Sequence, residues 1–274
     1  IDHNLIKKLV DASAVAAGDT VLEVGPGTGA LTEELLARGC RVVAGELDSQ
    51  LSDFLRERHA ANPAFTLVQG DCLAGKRAVA PELLLAVGDA PFTLVANLPY
   101  GAATPLMLAL MTAHPRCRGL FVTIQREVAD RLLALPGQDE YGTISVIADA
   151  ACTRQRIAKL PPECFWPRPD IDSAMVGLTR RPQPLADDLP GLADFTQFLF
   201  GKRRKQIASV LGSALAADLA WPPGIRPNER AENLSTAHFT ALRDALRRSP
   251  RSDLVVQIPG LGNRSGLQPE TPMR

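Results

Sequence analysis

Val21-Leu22-Glu23-Val24-Gly25-Pro26-Gly27-Thr28-Gly29-Ala30 runs from an apolar stretch straight into three glycines, and Leu31-Thr32-Glu33-Glu34-Leu35-Leu36 follows. The first part reads as a buried strand and the last, with apolar residues at Leu31, Leu35 and Leu36, as a helix. Between them the glycines allow positive φ and a close approach of main chain to ligand. Strand, glycine loop and helix in that order open a parallel α/β sheet. Gly25-x-Gly27-x-x-Ala30 also satisfies the relaxed dinucleotide fingerprint. A nicotinamide or flavin enzyme therefore stands beside a methyltransferase using S-adenosylmethionine (SAM). Glu23 tilts the balance toward SAM: a carboxylate at the strand end can organise the loop and the cofactor's amino-acid end, whereas it would repel a pyrophosphate.

Three more strands end in the same manner. Arg41-Val42-Val43-Ala44-Gly45 leads to Glu46-Leu47-Asp48, Phe65-Thr66-Leu67-Val68-Gln69 to Gly70-Asp71-Cys72, and Phe92-Thr93-Leu94-Val95-Ala96 to Asn97-Leu98-Pro99-Tyr100. In an open α/β sheet, ligands bind at the carboxyl ends of the strands. Glu46 suits two ribose hydroxyls, in either cofactor class, and Asp71 an adenine amino group. Leu47 and Cys72 stand beside these acids and are counted in the same cofactor site. By residue type alone, Asp48 is a helix N-cap and Gly70-Asp71 an ordinary turn. Asn97-Leu98-Pro99-Tyr100 carries the chemistry. The Asn97 oxygen accepts one N–H of a planar amine and the Leu98 carbonyl accepts the other. Pro99 fixes φ and removes a competing donor, and Tyr100 offers a flat face for stacking. This series explains a SAM pocket with an amine acceptor and gives hydride transfer no obvious catalytic group.

Residues 3–16 read as a leading helix, with Leu5, Ile6, Leu9 and Val10 on one face. Strands and helices then alternate to about Leu135, the pattern of a parallel sheet with helices on both faces. Gly119–Gln125 is a strand and Arg126–Leu135 a helix, and Pro136-Gly137-Gln138-Asp139 is a loop. Thr143–Ala151, Arg154–Leu160 and Ser173–Arg180 read as further strands, with an antiparallel edge pair among them. Arg181-Pro182-Gln183-Pro184 begins a linker, after which the pattern turns helical, with Ser235 as N-cap before Thr236–Arg248. The expected organisation is a Rossmann-like α/β domain over residues 1–180, a small helical domain over 181–250 and a flexible tail over 251–274. Within the tail, Leu254-Val255-Val256-Gln257-Ile258 could pair as a strand.

The chain has 274 residues, 46% hydrophobic and 22% charged, an ordinary globular composition. No apolar run approaches the ~20 residues that cross a bilayer. Cys40, Cys72, Cys117, Cys152 and Cys164 are scattered and odd in number, and the four histidines are dispersed. This argues against a zinc site or a disulfide frame and suits the reducing cytoplasm. Formal net charge is +0, which speaks against a nucleic-acid binder, yet affinity for a phosphate backbone follows local patches rather than the average. Lys202-Arg203-Arg204-Lys205 is the densest patch. Ile207, Val210, Leu211, Ala214 and Leu215 follow at helical spacing, so the patch opens an amphipathic helix. It is either an RNA contact or a solvated helix end. Arg243, Arg247, Arg248 and Arg251 are weaker candidates, since basic residues near a helix C-terminus also complement its dipole.

With these motifs in order, the chain resembles the small-subunit ribosomal RNA adenine dimethyltransferases. The likeness extends through Gln125-Arg126-Glu127-Val128-Ala129-Asp130-Arg131-Leu132, Tyr141-Gly142-Thr143-Ile144-Ser145-Val146, Phe165-Trp166-Pro167-Arg168-Pro169-Asp170-Ile171-Asp172-Ser173-Ala174 and Arg230-Ala231-Glu232-Asn233-Leu234-Ser235. It covers most of residues 1–248. Asn-hydrophobic-Pro-Tyr is shared with the related 23S rRNA methyltransferases that confer macrolide resistance. Arg-Ala-Glu-Asn-Leu-Ser favours the small-subunit branch. The resemblance implies transfer of methyl groups from SAM to N6 of two adjacent adenosines near the 3′ end of small-subunit RNA. It also implies an immature small ribosomal subunit as partner, a monomer without metal or membrane, and a cytoplasmic site of action. It places Phe165 on the target base, where packing alone would otherwise explain an aromatic among prolines. Family members carry a Gln-Asn-Phe-Leu segment just ahead of the first helix. The chain starts at Ile1, directly after that point, so the resemblance implies a trimmed chain lacking a cofactor lid. Two other readings compete: a DNA N6-adenine methyltransferase, which usually carries Asp or Asn before Pro-Pro-Tyr/Phe, and a ribosome-assembly or transcription factor that binds without catalysis.

Overall fold

The computed structural model describes residues 2–75, 77–165 and 171–262. In chain order the elements are α1 (His3–Ser13), β1 (Thr20–Val24), α2 (Ala30–Ala37), β2 (Arg41–Glu46), α3 (Ser49–Arg58), β3 (Phe65–Gln69), β4 (Leu73–Ala74), β5 (Ala78–Val79), α4 (Pro81–Val87), β6 (Phe92–Asn97) and α5 (Tyr100–Ala113). They continue with β7 (Cys117–Gln125), α6 (Arg126–Leu133), α7 (Thr143–Ala151), β8 (Cys152–Leu160), β9 (Ser173–Arg180), α8 (Leu189–Phe200), α9 (Ile207–Leu211), α10 (Ser213–Asp218), α11 (Thr236–Arg247) and α12 (Ser252–Val255).

Seven strands form one sheet in the order β3-β2-β1-β6-β7-β9-β8. β3, β2, β1, β6 and β7 are parallel neighbours, and β9 runs antiparallel to both β7 and β8. The expected edge pair is thus present. Side chains alternate across the sheet as a period of two requires. Val21, Val42, Val95, Phe121 and Met175 meet Ile6, Leu9 and Val10 of α1 and Leu31 and Leu35 of α2 on one face. Leu22, Val43, Leu94, Leu120 and Val176 point to the other face and join the helices packed there. Both faces are covered, which is why the parallel strands read as nearly unbroken apolar runs.

Thr143–Ala151 is a helix, not the expected strand. Seven of its nine residues are buried, and α7 packs against α5, α6, α8 and β8. A helix apolar on all sides shows no 3.6-residue stripe, and its β-branched residues imitate a strand. The amphipathic helix expected after the basic patch is two short helices, α9 and α10, interrupted at Gly212. Lys202–Lys205 lie in turns ahead of α9, and Ala214 is exposed. The expectation of a loose tail from residue 251 is corrected for residues 251–262. α12 replaces the suggested strand, and Val255, Ile258 and Leu261 are buried in the same apolar cluster as the sheet. Residues 263–274 lie outside the described residues. The anchor for this segment is Arg243, a buried side chain paired with Asp188 and donating from Nε to the Gly260 carbonyl (3.0 Å). One apolar cluster runs from Leu22 through α5 and α7 to the C-terminal helices.

Candidate active site

The strand order reverses between β1 and β6, with β2 and β3 to one side and β7, β9 and β8 to the other. Connections leave such a point in opposite directions and open a crevice at the carboxyl ends. Here the crevice is a cavity of about 270 Å³ on the α1–α2 face of the sheet. The glycine loop from Gly25 to Thr28 forms one wall, and Ile6 and Leu9 of α1, Leu51 of α3 and Met175 of β9 supply apolar surface. Its polar side chains include Glu23, Asn97 and Thr123.

Each is placed by the fold. Glu23 is 1% exposed and accepts a hydrogen bond from Thr32 Oγ1 at 2.7 Å. Burial pushes its carboxyl up to about 8; the Thr32 bond opposes the rise and the charge of Glu46 adds to it. Glu23 is therefore mostly protonated at neutral pH. Glu46, at the end of β2, accepts the Gly27 N–H (3.2 Å) and the Asp48 N–H (3.0 Å), tying the glycine loop to its neighbouring strand. Asp48 caps α3 by accepting from the N–H groups of Gln50 and Leu51. At Gly25 (φ +70°) a Cβ would stand 3.1 Å from Pro99 Cγ. The two motifs singled out in the sequence thus touch, and glycine permits the contact. Gly27 (φ +59°) has open space where a side chain would be. Asn97 ends β6 with its side chain exposed, and the Leu98 N–H donates to the Thr123 carbonyl (3.0 Å), fixing the turn to β7. Pro99 is the N-cap of α5 and Tyr100 its first residue, 45% exposed.

Of the sequence candidates, Glu23, Gly25, Gly27 and Asn97 line the cavity and Glu46 supports it. Gly29 caps α2 instead, packed beside Leu55. Leu47 is exposed at the tip of β2, outside the lining. Asp71 is exposed and accepts the Leu73 N–H (2.9 Å), the turn geometry its residue type suggests. The Cys72 thiol does not face the cavity: it lies in the core, where burial pushes it up to about 11. Phe165 packs against the apolar cluster beneath α1 and is not part of the lining. The adjoining Trp166–Asp170 of the same motif lie outside the described residues. In the basic patch, Lys202, Arg204 and Lys205 are exposed. Arg203 is committed inward, bonding Glu232 (2.6 Å) and the Tyr141 (3.1 Å) and Gln138 (3.2 Å) carbonyls. Arg243, Arg247 and Arg251 are likewise drawn into pairs with Asp188 and Asp218.

Sequence reasoning missed Thr32, Thr123 and Met175, and the part played by Ile6 and Leu9. The spacing from Glu23 to Thr32, which puts the hydroxyl in the first turn of the following helix, was the available signal. Thr123 and Met175 join the cavity only through strand pairing with Asn97 and with each other.

The residues present fit SAM. A methionine arm needs apolar walls and polar groups for its charged end, and the cavity supplies both. Open space over Gly27 and a buried Thr123 hydroxyl without a partner among the described residues mark room left for a ligand. Glu46 ends the neighbouring strand and is bonded to the same glycine loop. Fold and site together define a Rossmann-like SAM-dependent methyltransferase. The family model described as ribosomal RNA adenine dimethylase matches residues 1–247. The chain belongs to that family, and SAM is its cofactor. It is 39% identical over 246 residues to Ribosomal RNA small subunit methyltransferase A of Phenylobacterium zucineum, covering 89% of this chain and 84% of that protein. The protein of the same name from Moorella thermoacetica is 36% identical over 257 residues, covering 90% and 89%. Among solved structures, a dimethyladenosine transferase from Plasmodium falciparum superposes with a TM-score of 0.74 at 21% identity, over 90% of this chain and 96% of that one. The 23S rRNA methyltransferase ErmE gives 0.64 at 22% identity, over 89% and 98%. These two likenesses speak to the fold. Among the described residues no helix is long and apolar enough to cross a membrane, and no cluster of His, Cys, Asp and Glu could hold a metal ion.

Proposed function

We propose that the chain methylates N6 of two adjacent adenosines near the 3′ end of small-subunit (16S) ribosomal RNA, giving dimethyladenosine during ribosome biogenesis. It acts as a cytoplasmic monomer on the immature small subunit. The observation that supports this most directly is the contact between the Pro99 turn and Gly25, which sets the amine-gripping Asn97 against the cofactor loop.

SAM, when bound, supplies a methyl carbon on a sulfonium, an electrophile with a good leaving group. Glu46 would hold the ribose, Leu47 and Asp71 the adenine with an apolar side chain and a carboxylate, and Gly25 and Gly27 the methionine arm. The target adenosine leaves its stack to reach the site, and Tyr100, with Phe165, receives its ring. Asn97 Oδ1 and the Leu98 carbonyl accept the two N6 hydrogens and aim the nitrogen lone pair. Adenine N6 is a weak nucleophile because that lone pair is delocalised. Fixing that nitrogen's orientation with two acceptors would remove much of the barrier. The two oxygens also stabilise positive charge developing on nitrogen, and the proton then leaves to water. In the second round one N–H remains to be held, so the grip must tolerate a methyl group. Lys202, Arg204 and Lys205 supply phosphate contacts.

Incubation with labelled SAM and, separately, immature small subunits, naked 16S rRNA, 23S rRNA and DNA tests this reading. Label recovered as N6-dimethyladenosine from small-subunit RNA is the expected result. Label in DNA or 23S rRNA, or binding to subunits without transfer, would overturn it.

A further inference from the structure

Of the polar groups in the cavity that the proposed function does not use, Thr123 stands apart. Thr123 is 1% exposed, lines the cavity, and its hydroxyl has no hydrogen-bond partner among the described residues. Leaving a buried hydroxyl unpaired costs free energy that a ligand recovers by bonding to it. Two other buried atoms without partners among the described residues, Ser52 Oγ and His59 Nε2, belong to α3 and its C-cap and lie outside this lining. Strand pairing fixes where Thr123 stands. It is directly opposite Asn97 of β6 on one side and Met175 of β9 on the other. Counting by twos along the strands, it shares the α1–α2 face with Phe121, as Asn97 does with Val95.

Two ligands meet at this site, the methyl donor and the target base, and the surroundings of Thr123 decide between them. Tyr100 and Phe165, which serve the base, are absent from the cavity lining, while the glycine loop and Glu23 are part of it. Ile6 and Leu9 roof the same space from α1. Thr123 thus stands on the donor side of Asn97. Glu46, at the ribose end, lies on β2, three strand spacings from β7 or roughly 14 Å. A ligand held by its ribose at Glu46 reaches Thr123 only with the far end of its other arm, and in SAM that end is the α-amino acid.

Resting on the reading of this cavity as the SAM site, we propose that Thr123 is a cofactor-binding residue whose hydroxyl binds the charged α-amino-acid end of the methyl donor. Asn97 on the neighbouring strand remains free to hold the acceptor amine. Thr123→Val keeps the shape and the β-branch of the side chain and removes only the hydroxyl. The probes are S-adenosylhomocysteine, which carries the amino-acid end, and 5′-methylthioadenosine, which lacks it, both titrated by calorimetry. Wild type should bind both. Thr123→Val should bind S-adenosylhomocysteine at least roughly tenfold more weakly, the scale of a hydrogen bond to a charged group. Its affinity for 5′-methylthioadenosine should stay within about twofold of wild type, and Thr123→Ser should restore tight binding. Unchanged affinity for S-adenosylhomocysteine in Thr123→Val would overturn the proposal while leaving the SAM site intact, and equal weakening of both probes would overturn it as well. Failure of the wild-type chain to bind either probe would instead overturn the SAM site itself.

Discussion

Replacing Glu23 by Gln tests the electrostatics on which the cavity is built. The folded chain buries this carboxyl at 1% exposure and raises it from an ordinary 4.5 to about 8. Below about 4.5 it is protonated in folded and unfolded chains alike, and its contribution to stability is fully present. Between the two values the folded chain holds a proton that the unfolded chain has released, so stability falls as pH rises and levels off above about 8. At roughly 1.4 kcal/mol per pH unit, the whole window is worth about 5 kcal/mol. Relaxation of the surroundings around the anion reduces this, leaving roughly 2–4 kcal/mol. Gln retains an acceptor for Thr32 and cannot ionise. Glu23→Gln should therefore gain on wild type steadily from pH 5.5 to pH 8.5, by roughly 5–10 °C in melting temperature at the upper end. Thermal melts of both proteins at several pH values measure the difference, in which the titration of other groups cancels. Melting curves that shift in parallel across that range would refute the reasoning, because they would mean Glu23 ionises in the folded chain as it does in water.

Asn97→Ala should lower methyl transfer roughly 10²–10³-fold, the scale of losing one aligned transition-state contact, while S-adenosylhomocysteine titration stays near wild type. Normal turnover would remove Asn97 from the chemistry. Changing Lys202, Arg204 and Lys205 to Gln should flatten the salt dependence of RNA binding without moving the melting temperature. Arg203→Ala should do the reverse, costing roughly 1–2 kcal/mol after allowance for partial exposure, because Glu232 and two carbonyls lose their donor. An opposite pattern of effects would reassign Arg203 to the RNA surface. Arg243→Ala should cost about 1–3 kcal/mol by taking the donor from the Gly260 carbonyl and one of the partners of the half-exposed Asp188, and should expose residues 251–262 to limited proteolysis. Unchanged protection would show that apolar packing alone holds that segment.

Much of this protein is legible in one dimension. The loop at Gly25–Gly29 and the turn at Asn97–Tyr100 are contiguous, so each carries its own chemistry in its residue order. Strands buried on both faces are short apolar runs with polar ends; of the four such ends, Glu23 and Asn97 line the cavity, Glu46 ties its loop and Asp71 lies in a turn. Local capping was equally visible: Asp48 and Ser235 cap α3 and α11 as their residue types suggest.

Tertiary packing decided the rest. Thr143–Ala151 carries the residues of a strand but is enclosed by helices, and no local pattern distinguishes the two when every side is apolar. Arg203 and Lys205 are equivalent in a basic run, yet only Arg203 finds Glu232, and that pairing depends on how a distant loop returns. Cys72 and Asp71 are adjacent, but one turns into the core and the other into solvent. Thr123 is an unremarked hydroxyl in an apolar strand until β7 lies down between β6 and β9. Sequence order specified the chemistry within each strand end, because main-chain geometry and residue type act over a few positions. Which strand ends share a cavity was settled by the order of strands in the sheet, an outcome of burying both faces at once that no single segment encodes.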